Sequence, residues 1–167
     1  MEYFVSGGAN VIPIMSYNSY NTDTRFGKAQ DFIAEIEALT GNRIISTIAD
    51  AEPVGPKNMT DIMIVLPCTG NTLAKLALGI YDTPVTLAVK SHLRNQKPVV
   101  IGVSTNDALS NTAKNIGALL NYKHYYFIPM SQDEPEKKPF SVVCDFERAY
   151  ETAVYALRGE QPEPILF

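Results

Sequence analysis

The sequence predicts an α/β fold, a single doubly wound Rossmann-like (flavodoxin-like) domain in which helices cover both faces of a parallel sheet. Three observations support this fold. Short apolar runs rich in β-branched residues alternate with longer amphipathic segments along the chain. The short runs are apolar throughout, as strands buried on both faces are. Polar turns follow several of them, and ligands bind at such turns in parallel sheets.

The predicted elements alternate in chain order. Strands are expected at residues 10–15, 43–48, 62–66, 98–104 and 125–129. Helices are expected at residues 25–39, 71–81, 84–95, 107–120 and 141–157. Asp23 or Thr24 can cap the first of these helices, and Gly41 can end it. With no internal repeat, the chain is expected to form one flavoprotein-like domain over residues 1–167.

The first residues have the pattern of a helix end. Residues 1–6 resemble a last helical turn, and Gly7 and Gly8 stop it before the first predicted strand. A doubly wound domain usually opens with a strand and a Gly- or Ser-rich phosphate loop before this helix. The sequence is therefore expected to be N-terminally truncated relative to this plan, without its first strand and phosphate loop.

Size and composition narrow the class of protein. At 167 residues, with 46% hydrophobic and 19% charged residues, the chain has enough apolar surface for one globular core. A net charge of −4 gives no electrostatic footprint for nucleic acid. No apolar run has the roughly 18 residues of a membrane helix, and no signal peptide is visible. Two cysteines are too few for a disulfide framework, so a cytoplasmic location is expected.

The most informative stretch is IMIVLPCTGNTLAKLALGIYD, residues 62–82. A buried strand ends at Pro67, a polar turn follows, and a helix begins at Asn71. The free N–H groups at such a helix start suit a phosphate, a carboxylate or a ring carbonyl. Asn71 and Thr72 are equally expected as plain helix caps or as ligand contacts. Cys68 lacks a partner close in sequence and is interpreted as a small buried hydrophobe.

Polar residues also follow two other predicted strands. The sequence Ser-Thr-Asn-Asp at residues 104–107 follows the strand VVIGV, and Ser16 ends the strand NVIPIM. Asp107 is expected either to be an N-terminal helix charge or to be a catalytic acid. His92 and His124 lack metal-ligand spacing, so no metal site is predicted. The chain has no G-x-G-x-x-G and no P-loop motif, which excludes the standard dinucleotide and NTPase sites.

Several motifs carry a resemblance to a known family. PCTGNTLAKLALGIYD at residues 67–82 resembles the P-x-x-x-N-T-x-A-K-x-A-x-G-x-x-D signature of the flavin-binding cysteine decarboxylase superfamily. Further segments resemble one branch of it, the dipicolinate synthase B subunits of spore-forming bacteria. They are TDTRFGK (22–28), AEPVGPK (51–57), LRNQKPVV (93–100), VSTNDAL (103–109) and QDEPEKKP (132–139).

The resemblance implies FMN as the cofactor, in a site that the missing phosphate loop leaves incomplete. The residues expected to bind it are Ser16, Pro67, Thr69, Asn71, Thr72, Ser104, Thr105 and Asn106. The cations expected to meet a small dicarboxylate substrate are Arg25, Lys75, Arg94 and Lys137. No residue is assigned a catalytic role.

The resemblance also implies a function. A B subunit would act with a nicotinamide-binding A subunit, which carries NAD(P), to convert hydroxy-tetrahydrodipicolinate to dipicolinate during sporulation. The chain would be part of an oxidoreductase and a homo-oligomer. Two alternatives stay open: a flavin-dependent decarboxylase of cysteine-containing substrates, and a non-enzymatic flavin- or nucleotide-binding partner protein. The decarboxylases' P-x-M-N-x-x-M motif keeps only its asparagine here, as Asn106, and their early histidine is missing, which disfavours the first alternative.

Overall fold

The core of the computed structural model, which describes residues 1–167, is a mixed and mostly parallel five-stranded sheet flanked by helices. Its strands are β1 (Met63–Cys68), β2 (Val99–Thr105), β3 (Tyr125–Phe127), β4 (Met130–Gln132) and β5 (Val142–Cys144). Strands β1 and β3 pair in parallel with β2, whereas β5 pairs antiparallel with both β2 and β4. The predicted Rossmann-like α/β class is confirmed.

Eight α-helices accompany the sheet. They are α1 (Glu2–Ser6), α2 (Tyr17–Asn21), α3 (Ala29–Thr40), α4 (Ile48–Ala51), α5 (Gly70–Leu78), α6 (Pro84–Leu93), α7 (Ala113–Leu120) and α8 (Ala149–Leu157). Helix α5 contacts α6 and α7, and α8 packs on β2 and β3. None of these helices has the length and hydropathy needed to cross a lipid bilayer.

Strand β2 is the centre of the hydrophobic core. Val99, Val100, Ile101 and Val103 are all 0% exposed, and their side chains belong to a core cluster of 22 buried residues. An uninterrupted apolar run is what a strand covered on both faces requires. Three of the predicted strands, at residues 62–66, 98–104 and 125–129, are confirmed as β1, β2 and β3, with ends shifted by a few residues.

The first two predicted strands, at residues 10–15 and 43–48, are almost absent. Each contributes only one residue to a parallel bridge, Ile14 with Ile45. The Met15 N–H donates to Ile45 O, and the Ile45 N–H donates to Pro13 O. Pro13 has no N–H to donate, which limits the ladder at this point. Residue 48 already begins α4, because the Thr47 hydroxyl caps that helix by accepting from the Asp50 N–H.

Two predicted helices were wrong at their start. Residues 142–144 form strand β5, and α8 begins only at Ala149, because this short apolar run pairs with both β2 and β4. Helix α7 begins at Ala113 instead of Asp107, since the carboxylate and carbonyl oxygens of Asp107 accept bonds that close a loop before the helix.

The helix predicted at residues 25–39 also begins later, at Ala29, and its N-cap is Lys28 instead of Asp23 or Thr24. The Asp23 carboxylate still accepts from the first helical N–H, that of Ala29, at 2.9 Å. Two other local predictions are confirmed. Gly41 ends the same helix in the left-handed conformation, with φ of 68°, where glycine has no steric penalty. The expected helix end at the start of the chain is α1, followed by Gly7.

Candidate functional site

The first polar turn, residues 67–72, is called the first corner. Thr69 is the N-cap of α5 and has an extended backbone, yet its side chain does not cap the helix. The first helical bond is donated by the Leu73 N–H to Thr69 O, at 3.0 Å. The N–H groups of Gly70, Asn71 and Thr72 therefore have no acceptor within the protein. Together with the positive end of the helix dipole, they can bind a hydrogen-bond acceptor.

The second polar turn, residues 104–107, is called the second corner, and Asp107 organises it. The Thr105 hydroxyl donates to Asp107 Oδ1 at 2.6 Å, and the Thr112 hydroxyl donates to Oδ2 at 2.7 Å. These two bonds lower the pKa of the Asp107 carboxyl below its usual range. Asp107 is thus an ionised loop residue, while Asn106 next to it is exposed.

The two corners touch each other. A Cβ atom built on Gly70 would lie 2.8 Å from Asp107 Oδ1, 2.9 Å from Thr112 Oγ1 and 3.1 Å from Thr105 Oγ1. Only a residue without a side chain fits this close approach. The turns after β1 and β2 therefore lie next to each other, as predicted. They meet where Gly70 packs against the side chains around Asp107.

Ser16 is engaged in its own helix start. Its Oγ accepts from the Ser19 N–H at 3.2 Å and lies 2.9 Å from Ser19 Oγ, so Ser16 is the N-cap of α2. It lies two residues after Ile14, whose bridge partner is Ile45 and not a strand of the main sheet. No hydrogen bond joins Ser16 to either corner.

The four candidate cations lie in different surroundings. Lys75 forms an ion pair with Asp82, and Lys137 faces Glu134 with 3.6 Å between its Nζ and Oε2. Arg94 ends α6 just before β2 begins, which is the opposite edge of the sheet from the corners. Arg25 has no carboxylate partner, and its guanidinium lies 4.8 Å from the centre of the Phe26 ring.

The loop of residues 133–140 lies beside the second corner. Gln132, which precedes it, pairs with Val142, and Val142 pairs with Thr105. The Leu109 N–H donates to Phe140 O at 3.0 Å. The Asp133 carboxylate raises the pKa of Lys138, and the positive charge of Arg25 lowers it. Arg25 therefore lies near Lys138, on the same side of the molecule as this loop.

The two cysteines and His92 are buried, and their surroundings indicate a role in packing. Cys68 is 0% exposed, and burial raises the pKa of its thiol far above the usual range. Burial also raises the pKa of Cys144 to about 11. Neither sulfur is a thiolate near neutral pH, so neither is an activated nucleophile. His92 is 1% exposed and bonded at both ring nitrogens.

The two corners can bind a ligand through polar groups that carry no positive charge. They offer unpaired N–H donors and the polar side chains of Thr69, Asn71, Ser104 and Asn106, and they contain no lysine or arginine. These groups fit the ring carbonyls of a flavin, whereas its phosphate would need donors from elsewhere. Sequence reasoning missed Gly70 and Thr112, because only the folded chain brings them to Asp107.

Comparisons with known proteins identify the family of the chain. Residues 4–155 match the family model described as Flavoprotein. The chain is 43% identical, over 99% of its length, to the dipicolinate synthase B subunit of Bacillus subtilis (strain 168), of which it covers 83%.

Two solved structures are similar to the fold. The dipicolinate synthase B subunit from Bacillus halodurans has a TM-score of 0.91 and 43% identity, with coverage of 99% of this chain and 85% of that one. The FMN-dependent cysteine decarboxylase SpaF has a TM-score of 0.58 and 25% identity, with coverage of 78% and 75%. The family match spans most of the chain and includes both corners, and the chain therefore belongs to the Flavoprotein family.

Proposed function

We propose that this chain is the B subunit of a dipicolinate synthase. The observation that carries the proposal is the 43% identity to a relative of that name over 99% of the chain, together with a TM-score of 0.91 to a solved structure of that name. The contact between the two corners supports it, because both corners lie within the aligned residues. The name of the relative also implies a partner, the dipicolinate synthase A subunit.

The proposed reaction converts hydroxy-tetrahydrodipicolinate to the aromatic dipicolinate. One water molecule leaves, one hydride passes to an oxidised nicotinamide and one proton is released. The chain has no dinucleotide fingerprint, so NAD(P) would be bound by the A subunit. The present chain would contribute a flavin-type pocket or part of the substrate site, and it would assemble as an oligomer in the cytoplasm.

The residues proposed to hold FMN are those of the two corners. The backbone N–H groups of Asn71 and Thr72 would donate to its ring carbonyls, and Ser104, Thr105 and Asn106 would line the other side. Pro67 and Thr69 shape the first corner, and Ser16 would contribute from its own helix start. FMN would supply a ring that accepts and returns electrons, while the protein would position it.

Co-expression with a nicotinamide-binding partner protein tests the function. Dipicolinate, detected by its ultraviolet absorption, is expected only when both proteins are present with substrate and nicotinamide. Formation at the same rate without the present chain would contradict the proposal. FMN binding is a separate measurement: flavin fluorescence is titrated with the purified chain, and quenching that saturates at one flavin per chain supports the cofactor site.

A second candidate function is decarboxylation of a cysteine-containing peptide by bound flavin. The similarity to the FMN-dependent decarboxylase SpaF favours it. The replacement of the family's proline and methionines by Val103, Thr105 and Leu109 disfavours it. Release of carbon dioxide from a cysteinyl peptide by the flavin-loaded chain alone would select this function over the first.

A further inference from the structure

Four residues form a polar cluster where the two corners meet, and it is called the Asp107 cluster. Its members are Gly70, Thr105, Asp107 and Thr112. Both carboxylate oxygens of Asp107 accept a threonine hydroxyl, at 2.6 and 2.7 Å, and Gly70 lies against all three side chains. The hydrogen bonds of the cluster lie within the segment from β2 to α7, and the first turn of α5 meets the cluster through the close packing of Gly70.

The geometry of the cluster fixes Asp107 from several directions. Its backbone O accepts from the Thr112 N–H at 3.3 Å and from Ser110 Oγ at 3.1 Å, in addition to the two side-chain bonds. Hydrogen bonds to an ionised carboxylate are short and strong. A carboxylate held through both oxygens cannot change rotamer without breaking both bonds, so its position against Gly70 is set by the loop.

The cluster borders the hydrophobic core. Thr112 is 2% exposed, and Ala108, next to Asp107, is a core residue with 0% exposure. The hydrogen bonds of the cluster lie within residues 105–112, whereas the sheet is held by apolar packing, so loss of these bonds is expected to loosen the spacing of the corners while the sheet stays folded. Thr112 is buried, so an effect of Thr112→Val on binding reports on how Asp107 and Gly70 are packed and not on a contact between Thr112 and the ligand.

We propose that Asp107 is a positioning residue: its carboxylate, held by Thr105 and Thr112, sets the distance between the start of α5 and the β2–α7 loop. The free N–H groups of Asn71 and Thr72 and the side chains of Ser104 and Asn106 then act as one pocket wall. The part of this inference that concerns a ligand rests on the proposed FMN site, whereas the coupling of the two segments is a property of the free protein.

Hydrogen exchange in the free protein tests the coupling. In Asp107→Ala and Thr112→Val, the hydrogen-bonded backbone amides of the first turns of α5, residues 73–76, are expected to exchange about tenfold faster, the effect of losing one hydrogen bond to a charged group. Exchange should rise in residues 105–112 as well. Acceleration confined to residues 105–112 would overturn the proposal, because α5 would then be independent of Asp107.

Two matched controls separate this effect from general loosening. Asp50→Ala removes a carboxylate that accepts a threonine hydroxyl at 2.6 Å in α4, and Thr152→Val removes a buried hydroxyl in α8. Neither is expected to change exchange in residues 73–76. If Asp107→Ala does not fold, Asp107→Asn is used with Thr112→Val, since an asparagine keeps the shape and one acceptor oxygen.

FMN titration completes the test. Thr112→Val is expected to weaken FMN binding about tenfold. The double variant Asp107→Ala with Thr112→Val is expected to weaken binding no more than Asp107→Ala alone, because both changes act through the same bonds. Unchanged affinity in Thr112→Val would overturn the positioning role. If the unaltered chain binds no FMN, the proposed cofactor site fails, and the exchange data alone then decide whether Asp107 couples the two segments.

Discussion

The ring of His92 and the hydroxyl of Thr60 are 2.8 Å apart, in a site where His92 is 1% exposed. On the other side of the ring, Nε2 lies 2.9 Å from Pro98 O, an atom that can only accept a hydrogen bond. Nε2 therefore carries the proton, and Nδ1 accepts from the Thr60 hydroxyl. This neutral ring connects α6 to the residues that precede β1 and β2.

Stability is expected to fall on mild acidification because of His92. Burial is the main cause that lowers the pKa of His92 below its unfolded value of about 6.5. The neutral ring therefore stabilises the fold above about pH 6.5, and this contribution is lost as the pH falls from there through the lower folded-state pKa. Urea unfolding at pH 7.5 and 5.5 should show a smaller pH difference for His92→Asn than for the unaltered chain. An equal difference in both would contradict this role, and His124→Asn serves as the control.

Two glycine-to-alanine changes are expected to have opposite effects on stability. Gly117 lies in α7 with no atom within 4 Å of a built Cβ, so Gly117→Ala should raise the free energy of unfolding by about 0.5–1 kcal/mol. Gly70→Ala should lower it, because the new Cβ would lie within 3.1 Å of three oxygens of the Asp107 cluster. Urea unfolding measures both, and a stabilising Gly70→Ala would mean that the corners move apart easily.

Arg25 is expected to be the cation that meets a substrate carboxylate. Lys75 and Lys137 already face carboxylates of their own, and Arg94 lies at the other edge of the sheet. In the complex of both subunits, Arg25→Gln should raise KM for the dicarboxylate about tenfold, the effect of losing one charged hydrogen bond. Arg94→Gln is the matched control, and an equal rise in KM for it would contradict the assignment.

The side chain of Gln161 is expected to stabilise β3. Its Oε1 accepts from the Phe127 N–H at 2.7 Å, and its Nε2 donates to Phe127 O at 2.8 Å. Gln161→Ala would leave both buried backbone groups without these partners and should cost about 1–3 kcal/mol in the free energy of unfolding. Gln132→Ala removes an exposed amide with one bond, to Pro139 O, and should change stability much less. Equal effects of the two changes would show that the Gln161 bonds are not important.

The parts of the fold that could be predicted are those with a strong local pattern. The apolar runs of β1 and β2 and the polar turn before α5 are visible in the sequence, and they locate both corners. Strand β5 could not be found, because Val142–Cys144 is too short to distinguish from a helix start and is defined by pairing with β2 and β4. The contact of Gly70 with Asp107 joins residues far apart in the chain, so no local pattern reports it.

The outer edges of the sheet differ in how they are closed. The amide of Gln161 covers β3, and the tail covers β4 through a parallel bridge between Met130 and Leu166. Strand β1 pairs only with β2, and its other side has no strand beside it, although its residues are apolar on both faces. The unpaired backbone N–H and C=O groups of such an edge strand can pair with a further strand. An extended segment from any polypeptide that enlarges this sheet would therefore add along Met63–Cys68.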